Sequence, residues 1–159
     1  MSNYALFYWQ AVNSKGQPCE GYRLVRHRHQ LSRILNDDGL VPVRITKKKL
    51  CPPRYWRCEQ RILIFSQISI LLQAGLPLAD GLGLLAEGHP QKAWQALLIQ
   101  LQQQILSGVT FSAALRCWPE IFPLLCISLV YAGEQTGHLE QCCRQLAEQQ
   151  QREMKLKKN

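Results

Sequence analysis

The rhythm of apolar and polar positions changes near residue 58, and the change divides the chain. Before it, "YALFYWQAV" at 4–12 and "EGYRLV" at 20–25 are rich in aromatic and β-branched residues and flank the turn "NSKGQ", the pattern of a hairpin. Leu31, Ile34 and Leu35 then recur at helical spacing, with Gly39 placed to stop the helix. "LVPVRIT" at 40–46 reads as a short strand, and Pro42 puts it at a sheet edge. Residues 1–46 are therefore expected to form a small β-β-α-β module. The lysine run and double proline of "KKKLCPPRYWRC", 47–58, read as a basic, extended linker.

From Glu59 onward the pattern is helical. Trp94, Leu97, Leu98, Leu101 and Ile105 form one apolar stripe. Breakers at "AGLP", "GHP", "SG", "WPE" and "GEQTG" cut 59–158 into six helices, about 60–74, 78–87, 91–107, 110–117, 121–133 and 137–157. Short connections predict antiparallel neighbours, so the fold class is mainly α: an antiparallel six-helix bundle preceded by the β-β-α-β module. The segment 121–133 is apolar nearly all round, which predicts a place at the bundle's centre. In 137–157, Leu139, Cys143 and Leu146 are expected to face inward, and the polar "EQQQREMKLKK" to leave the bundle or lie in solvent.

Charge refines this picture. The net +8 sits wholly in residues 1–61, where twelve Lys/Arg face four acids; over 62–159 seven face seven. Arg23, Arg26 and Arg28 with Lys47, Lys48 and Lys49 make one basic, partner- or membrane-facing group, and Arg152, Lys155, Lys157 and Lys158 make another near the end. With Tyr22, Tyr55 and Trp56 nearby, the Arg/His-rich stretch 23–33, read for this purpose as a helix, leaves a basic nucleic-acid-binding helical protein open as a rival function. Anionic lipid or an acidic protein surface would be drawn to it equally well. His27 and His29 lie among arginines, which oppose a cation and favour a solvated basic helix face.

Seven cysteines at irregular spacings suit a reducing compartment and packing or surface thiols; adjacent Cys142 and Cys143 point about 100° apart on a helix, one toward the core and one beside it. The N-terminus shows no pattern of a secretion signal. The most apolar window, 62–86, is interrupted by Gln67, Gln73, Gly75, Pro77 and Asp80, so two amphipathic helices and a corner are expected there instead of a membrane span, and the chain reads as soluble. "GLG" at 81–83 lies inside a helix at a propensity cost that close helix approach would compensate. No nucleotide-binding loop, nucleophile elbow or zinc motif occurs, so neither an enzyme nor a cofactor is expected, nor a small-molecule substrate.

One residue stands out. Glu134 follows an apolar run and is bracketed by Gly133 and Gly137. Gly133 is placed to end one helix, and Thr136 to cap the next, with Glu140 in its first turn. As a general acid or base Glu134 would need a partner, and only His138 is near in sequence. As a hard-cation ligand it would need further oxygens, such as a symmetry mate's. A structural or interface acid is the alternative reading.

"LLQAGLPLADGLGLLAE" (71–87), "GVTFSAAL" (108–115), "FPLLCISLVYAGEQTGHLEQCCRQLAEQQ" (122–150) and the closing "KLKK" resemble, in that order, the cytoplasmic domain of the GspF/PilC family, the inner-membrane platform of type II secretion and type IV pilus assembly, on its HofC-like side. The likeness covers about residues 60–158, and the N-terminal module resembles the region that precedes the bundle in such proteins. It implies a non-enzymatic scaffold on the cytoplasmic face of the bacterial inner membrane, contacting an assembly ATPase and other machine components, with no nucleic acid as partner. The family's signature falls on Gly75, Pro77, Gly108, Phe122, Pro123, Gly133, Glu134 and Gly137, with Glu134 at the corner between the last two helices. Family members carry two such bundles and several membrane helices, and the sequence stops near where the first of those helices would begin, as a separately made piece or a truncated product would. The basic end then matches a cytoplasmic juxtamembrane segment. Independently of the family, a bundle with small-residue corners invites a symmetric homodimer or higher oligomer.

Overall fold

The structure, a computed structural model, describes residues 3–158, with the side chain of Lys158 outside that description. Strands β1 (Tyr4–Val12), β2 (Pro18–Val25) and β3 (Val41–Cys51) form an antiparallel sheet in the order β2-β1-β3, and helix α1 (Arg28–Asp37) lies between β2 and β3 in sequence. A single 3-10 turn, Pro53–Tyr55, leads to α2 (Cys58–Gln73), α3 (Leu78–Gly88), α4 (Lys92–Leu106), α5 (Phe111–Arg116), α6 (Leu124–Thr136) and α7 (Leu139–Lys158). The chain is thus mainly helical with a small sheet ahead of the helices, as the pattern predicts.

Two compact units result. One takes the residues up to Tyr55 together with His89–Leu97; the other takes Trp56–Gly88 and the residues from Leu98 onward. In the first, Ala5, Phe7 and Val25 face α1 and meet Leu31 and Leu35, with Trp9, Ile34, Leu40 and Ile45 packed around them. Alternation along the strands puts Leu6 and its cross-strand partner Leu24, 3% and 0% exposed, on the opposite face. Gln30 holds the start of α1 by accepting the N–H groups of Arg26 and His27, both at 3.1 Å.

In the second unit the ring of Phe65 lies 6.1 Å from Phe122, edge to face, and 6.3 Å from Phe111. Ile64, Ile68, Leu82, Leu101, Leu115, Val130, Cys143 and Leu146 are buried with them. Among the described residues no helix is long and apolar enough to cross a membrane.

Four expectations need correction. The lysine run is not linker: β3 continues to Cys51, so Lys47, Lys48 and Lys49 belong to an edge strand, where lysine is well suited. Arg23 and Arg26 do not sit on a helix; Arg23 lies in β2 and Arg26 precedes α1. Helix α6 is not central, because Leu124 and Tyr131 are 77% and 47% exposed while only Cys126, Ile127, Val130 and Gly133 are buried. Ile121 and Phe122, which lengthened the apolar run, are buried from the turn before that helix. Helix α7, in turn, stays packed beyond Leu146: Gln150 is buried and accepts a bond from the Cys58 thiol at 3.4 Å.

All seven cysteines are free; Cys51, Cys126 and Cys143 are buried and Cys117 is exposed. Burial pushes the Cys51 and Cys126 thiols up to about 11 and Cys143 to about 12. A maleimide or disulfide reagent at pH 8 should therefore modify Cys117 rapidly and those three only after unfolding. Unfolded thiols ionise near about 8.5, so these groups favour the folded chain fully below that pH, and stability should fall as pH climbs toward 12.

Candidate functional site

The sequence-singled acid resolves into a corner built from three helices. Helix α5 has only six residues, too few to be stable alone, so its N-terminus depends on what caps it. Thr110 supplies one cap: its hydroxyl oxygen accepts the N–H of Ala113 at 3.3 Å. Glu134, reaching from α6, supplies the other. Its Oε1 accepts the Ser112 N–H at 2.6 Å, and its Oε2 accepts the Ser112 hydroxyl at 2.8 Å. Ser112 is 1% exposed, so the carboxylate satisfies two donors that water cannot reach, at the helix end where a negative charge is favoured.

The glycines divide their work differently from expectation. Gly133 does not end a helix; it lies inside α6 and is buried. A Cβ there would stand 2.9 Å from the Cα of Leu139 and 3.0 Å from the Cβ of Cys142, so Gly133 lets α6 and α7 approach. Gly137 ends α6 instead, at φ +76°, and the Gly133 carbonyl accepts the N–H groups of both Gly137 and His138. Thr136 is consequently the last residue of α6 and caps nothing ahead of it; its hydroxyl donates back to the Ala132 carbonyl at 3.0 Å. Removing that hydroxyl with Thr136→Val should change stability by less than about 0.5 kcal/mol, whereas Thr110→Ala should cost about 1 kcal/mol. Urea unfolding of the two variants measures both.

The other singled-out residues punctuate helices in the same manner. Gly75 and Gly108 stop α2 and α4: Leu76 and Val109 donate to the carbonyls of Leu71 and Gln104, both at 3.1 Å. Pro77 opens α3, its carbonyl accepting the Gly81 N–H at 3.0 Å. Pro123 occupies the position before α6, and Phe122 is core. The structure does not bring these residues to one place; only Gly133, Glu134, Thr136 and Gly137 share a corner. Ser112, the partner of Glu134, went unnoticed in the sequence.

The basic residues are also spread. Arg26 stacks on the Tyr4 ring at 4.1 Å, Arg28 donates to the Ile45 carbonyl at 2.6 Å, and burial lowers the pKa of the half-buried Arg23, with Asp38 opposing. His27 and His29 stack at 5.3 Å. Lys47, Lys48 and Lys49 are exposed on β3, and Arg152, Lys155 and Lys157 on the last turns of α7; the Lys158 side chain lies outside the described residues. Among the described residues no group of three or more His, Cys, Asp or Glu side chains is arranged to hold a metal ion.

A family model described as "Type II secretion system (T2SS), protein F" matches residues 64–159, more than half of the chain. The chain belongs to that family. It is 36% identical over 156 residues to the "Protein transport protein HofC homolog" of Escherichia coli K12, covering 98% of this chain and 39% of that one. It is 29% identical over 160 residues to the "Type IV pilus assembly protein PilC" of Myxococcus xanthus, covering 96% and 38%. It is 26% identical over 163 residues to the "Type II secretion system protein F" of Vibrio cholerae, covering 96% and 40%. The chain thus spans about two fifths of the length of these relatives.

Proposed function

We propose that this chain is a non-enzymatic scaffold domain of a bacterial type II secretion or type IV pilus assembly machine. It stands on the cytoplasmic face of the inner membrane and carries movement from an assembly ATPase to the assembly of pilin-like subunits. Membership of the protein F family is the observation that carries this reading. The corner around Glu134 supports it, because both carboxylate oxygens are occupied in bracing α5, which suits a rigid body that is held and pushed. The exposed Arg152, Lys155 and Lys157 suit a segment close to an anionic membrane surface.

The test is association. The chain, and the full-length platform in native membranes, should co-purify with the cognate hexameric ATPase. Absence of contact both directly and within the membrane complex would refute the role. Self-association belongs to the same reading: Leu63, Ile70 and Leu84 are 51%, 61% and 51% exposed on α2 and α3, and sedimentation across concentrations should show reversible dimers that Ile70→Glu weakens.

A further inference from the structure

The first unit holds a pocket that has no part in the corner around Glu134. It is a surface depression of about 390 Å³, open to solvent and lined by Tyr22, Tyr55, Lys48, Lys49 and Lys92 together with Leu6. That volume is in the range of about 300–1,000 Å³ usual for small-ligand sites. We propose that this pocket binds a phosphate ester through the three lysines. The inference does not rest on the scaffold reading and would stand without it.

The strand itself is built to bring two of these charges together. Neighbouring residues of a regular strand point to opposite faces, so Lys48 and Lys49 should diverge. Here Leu6 of β1 pairs with Lys49 while the next residue, Phe7, pairs with Lys47, which leaves Lys48 as the extra residue of a bulge. A bulge re-aims the side chain it carries, and both lysines line the one cavity as a result. Lys92, the first residue of α4, joins them from a stretch more than forty residues away in sequence.

Each ammonium group lies near an aromatic ring. Lys49 Nζ lies 5.2 Å from the centre of the Tyr55 ring, Lys92 Nζ 5.4 Å from Tyr22, and Lys48 Nζ 5.7 Å from Tyr8. Among the described residues none of the three is ion-paired with a carboxylate, and the nearby Glu20 accepts a hydrogen bond from the Tyr8 hydroxyl. Three positive charges border this one opening, which favours the approach of an anion. A phosphate offers tetrahedral oxygens to donors arriving from several directions, and lysine meets it as a point charge; a carboxylate, flat and two-pronged, matches the fork of an arginine better. Leu6 and the tyrosine rings leave an apolar wall for the carbon portion of the ester.

The test titrates the whole chain, followed by ¹H–¹⁵N spectra, with inorganic phosphate and with glycerol phosphate against potassium chloride at matched ionic strength. Saturable shifts confined to Leu6, Tyr22, residues 47–49, Tyr55 and residues 91–93 are expected. Each of Lys48→Gln, Lys49→Gln and Lys92→Gln should weaken binding about fivefold and the triple variant should abolish it. All three side chains are exposed, so the variants should keep the native spectrum, and Lys15→Gln, in the β1–β2 turn, should bind as before. Co-sedimentation with phosphatidylglycerol vesicles but not phosphatidylcholine vesicles would identify a lipid headgroup as the source; saturable binding of the free anions alone would identify a soluble ester. Shifts that grow linearly without saturating, equal losses in Lys15→Gln, or binding only to a DNA strand for which phosphate does not compete would each overturn the proposal.

Discussion

Gly133→Val is expected to lower the unfolding free energy by about 3 kcal/mol, at the upper end of what overpacking usually costs. The obstruction is backbone: the new Cβ would sit 2.9 Å from the Cα of Leu139, and the start of α7 would have to move. Alanine at the same position makes the test sharper. In an exposed helix interior Gly→Ala gains about 1 kcal/mol through propensity. At Gly133 the sign should reverse, because even one carbon meets Leu139 and Cys142. Gly83 provides the comparison within the same unit. There the nearest atom is Nε2 of Gln102 at 2.6 Å, the free end of a long side chain that donates to the Ala79 carbonyl at 3.0 Å. Gln102 can swing away, so Gly83→Ala should come out near zero, the propensity gain offset by one hydrogen bond worth about 1 kcal/mol. Urea unfolding curves of the three variants decide the matter, and a stabilising Gly133→Ala would mean that α6 and α7 do not approach so closely.

The difference between those two glycines shows where local pattern stops being informative. Helix α4 was legible because its stripe is periodic and its residues are packed by that period: Trp94, Leu97 and Leu98 are fully buried and Leu101 is 1% exposed. Helix α1 and its stop at Gly39 were legible for the same reason, since propensity, period and terminator agree. The end of α6 was not. Gly133 and Gly137 are both plausible terminators four residues apart, and what chooses between them is the proximity of α7, a tertiary fact. Its start was obscured by Ile121 and Phe122, core residues that are not helical, whose side chains extend an apolar run across a turn.

Strand β3 runs past its expected end at residue 46 for a related reason. As an edge strand it is largely exposed, and its register against β1 shifts twice, between Leu6 and Phe7 and between Gln10 and Ala11, so the alternation that announces a strand is broken where the lysines begin. The corner acid could be singled out from composition alone, an isolated carboxylate between two glycines. Its partner could not, because Ser112 lies 22 residues earlier and nothing local to either residue signals the pairing.

That pairing yields the second large expected effect. Glu134→Ala should cost about 3 kcal/mol, since it strands both the N–H and the hydroxyl of a serine that is 1% exposed, and a buried unsatisfied donor costs about 1–3 kcal/mol. Glu134→Gln keeps an acceptor oxygen and should cost about 1–2 kcal/mol. Ser112→Ala removes the hydroxyl while leaving the stronger bond from its N–H to Oε1, and should cost about 1 kcal/mol. The double variant should be less damaging than the two single losses together by about 1 kcal/mol, because the bond between Oε2 and the hydroxyl is counted twice in the separate measurements. Strict additivity would show that the two side chains do not depend on each other. The same set separates bracing from a contact made elsewhere. If Glu134 serves the scaffold only by holding α5, secretion or pilus assembly by the full-length platform should fall in step with stability across Glu134→Ala, Glu134→Gln and Ser112→Ala, and should recover on lowering the temperature. Loss of assembly in Glu134→Gln at a temperature where that variant is fully folded would assign the carboxylate to a partner surface or a cation instead.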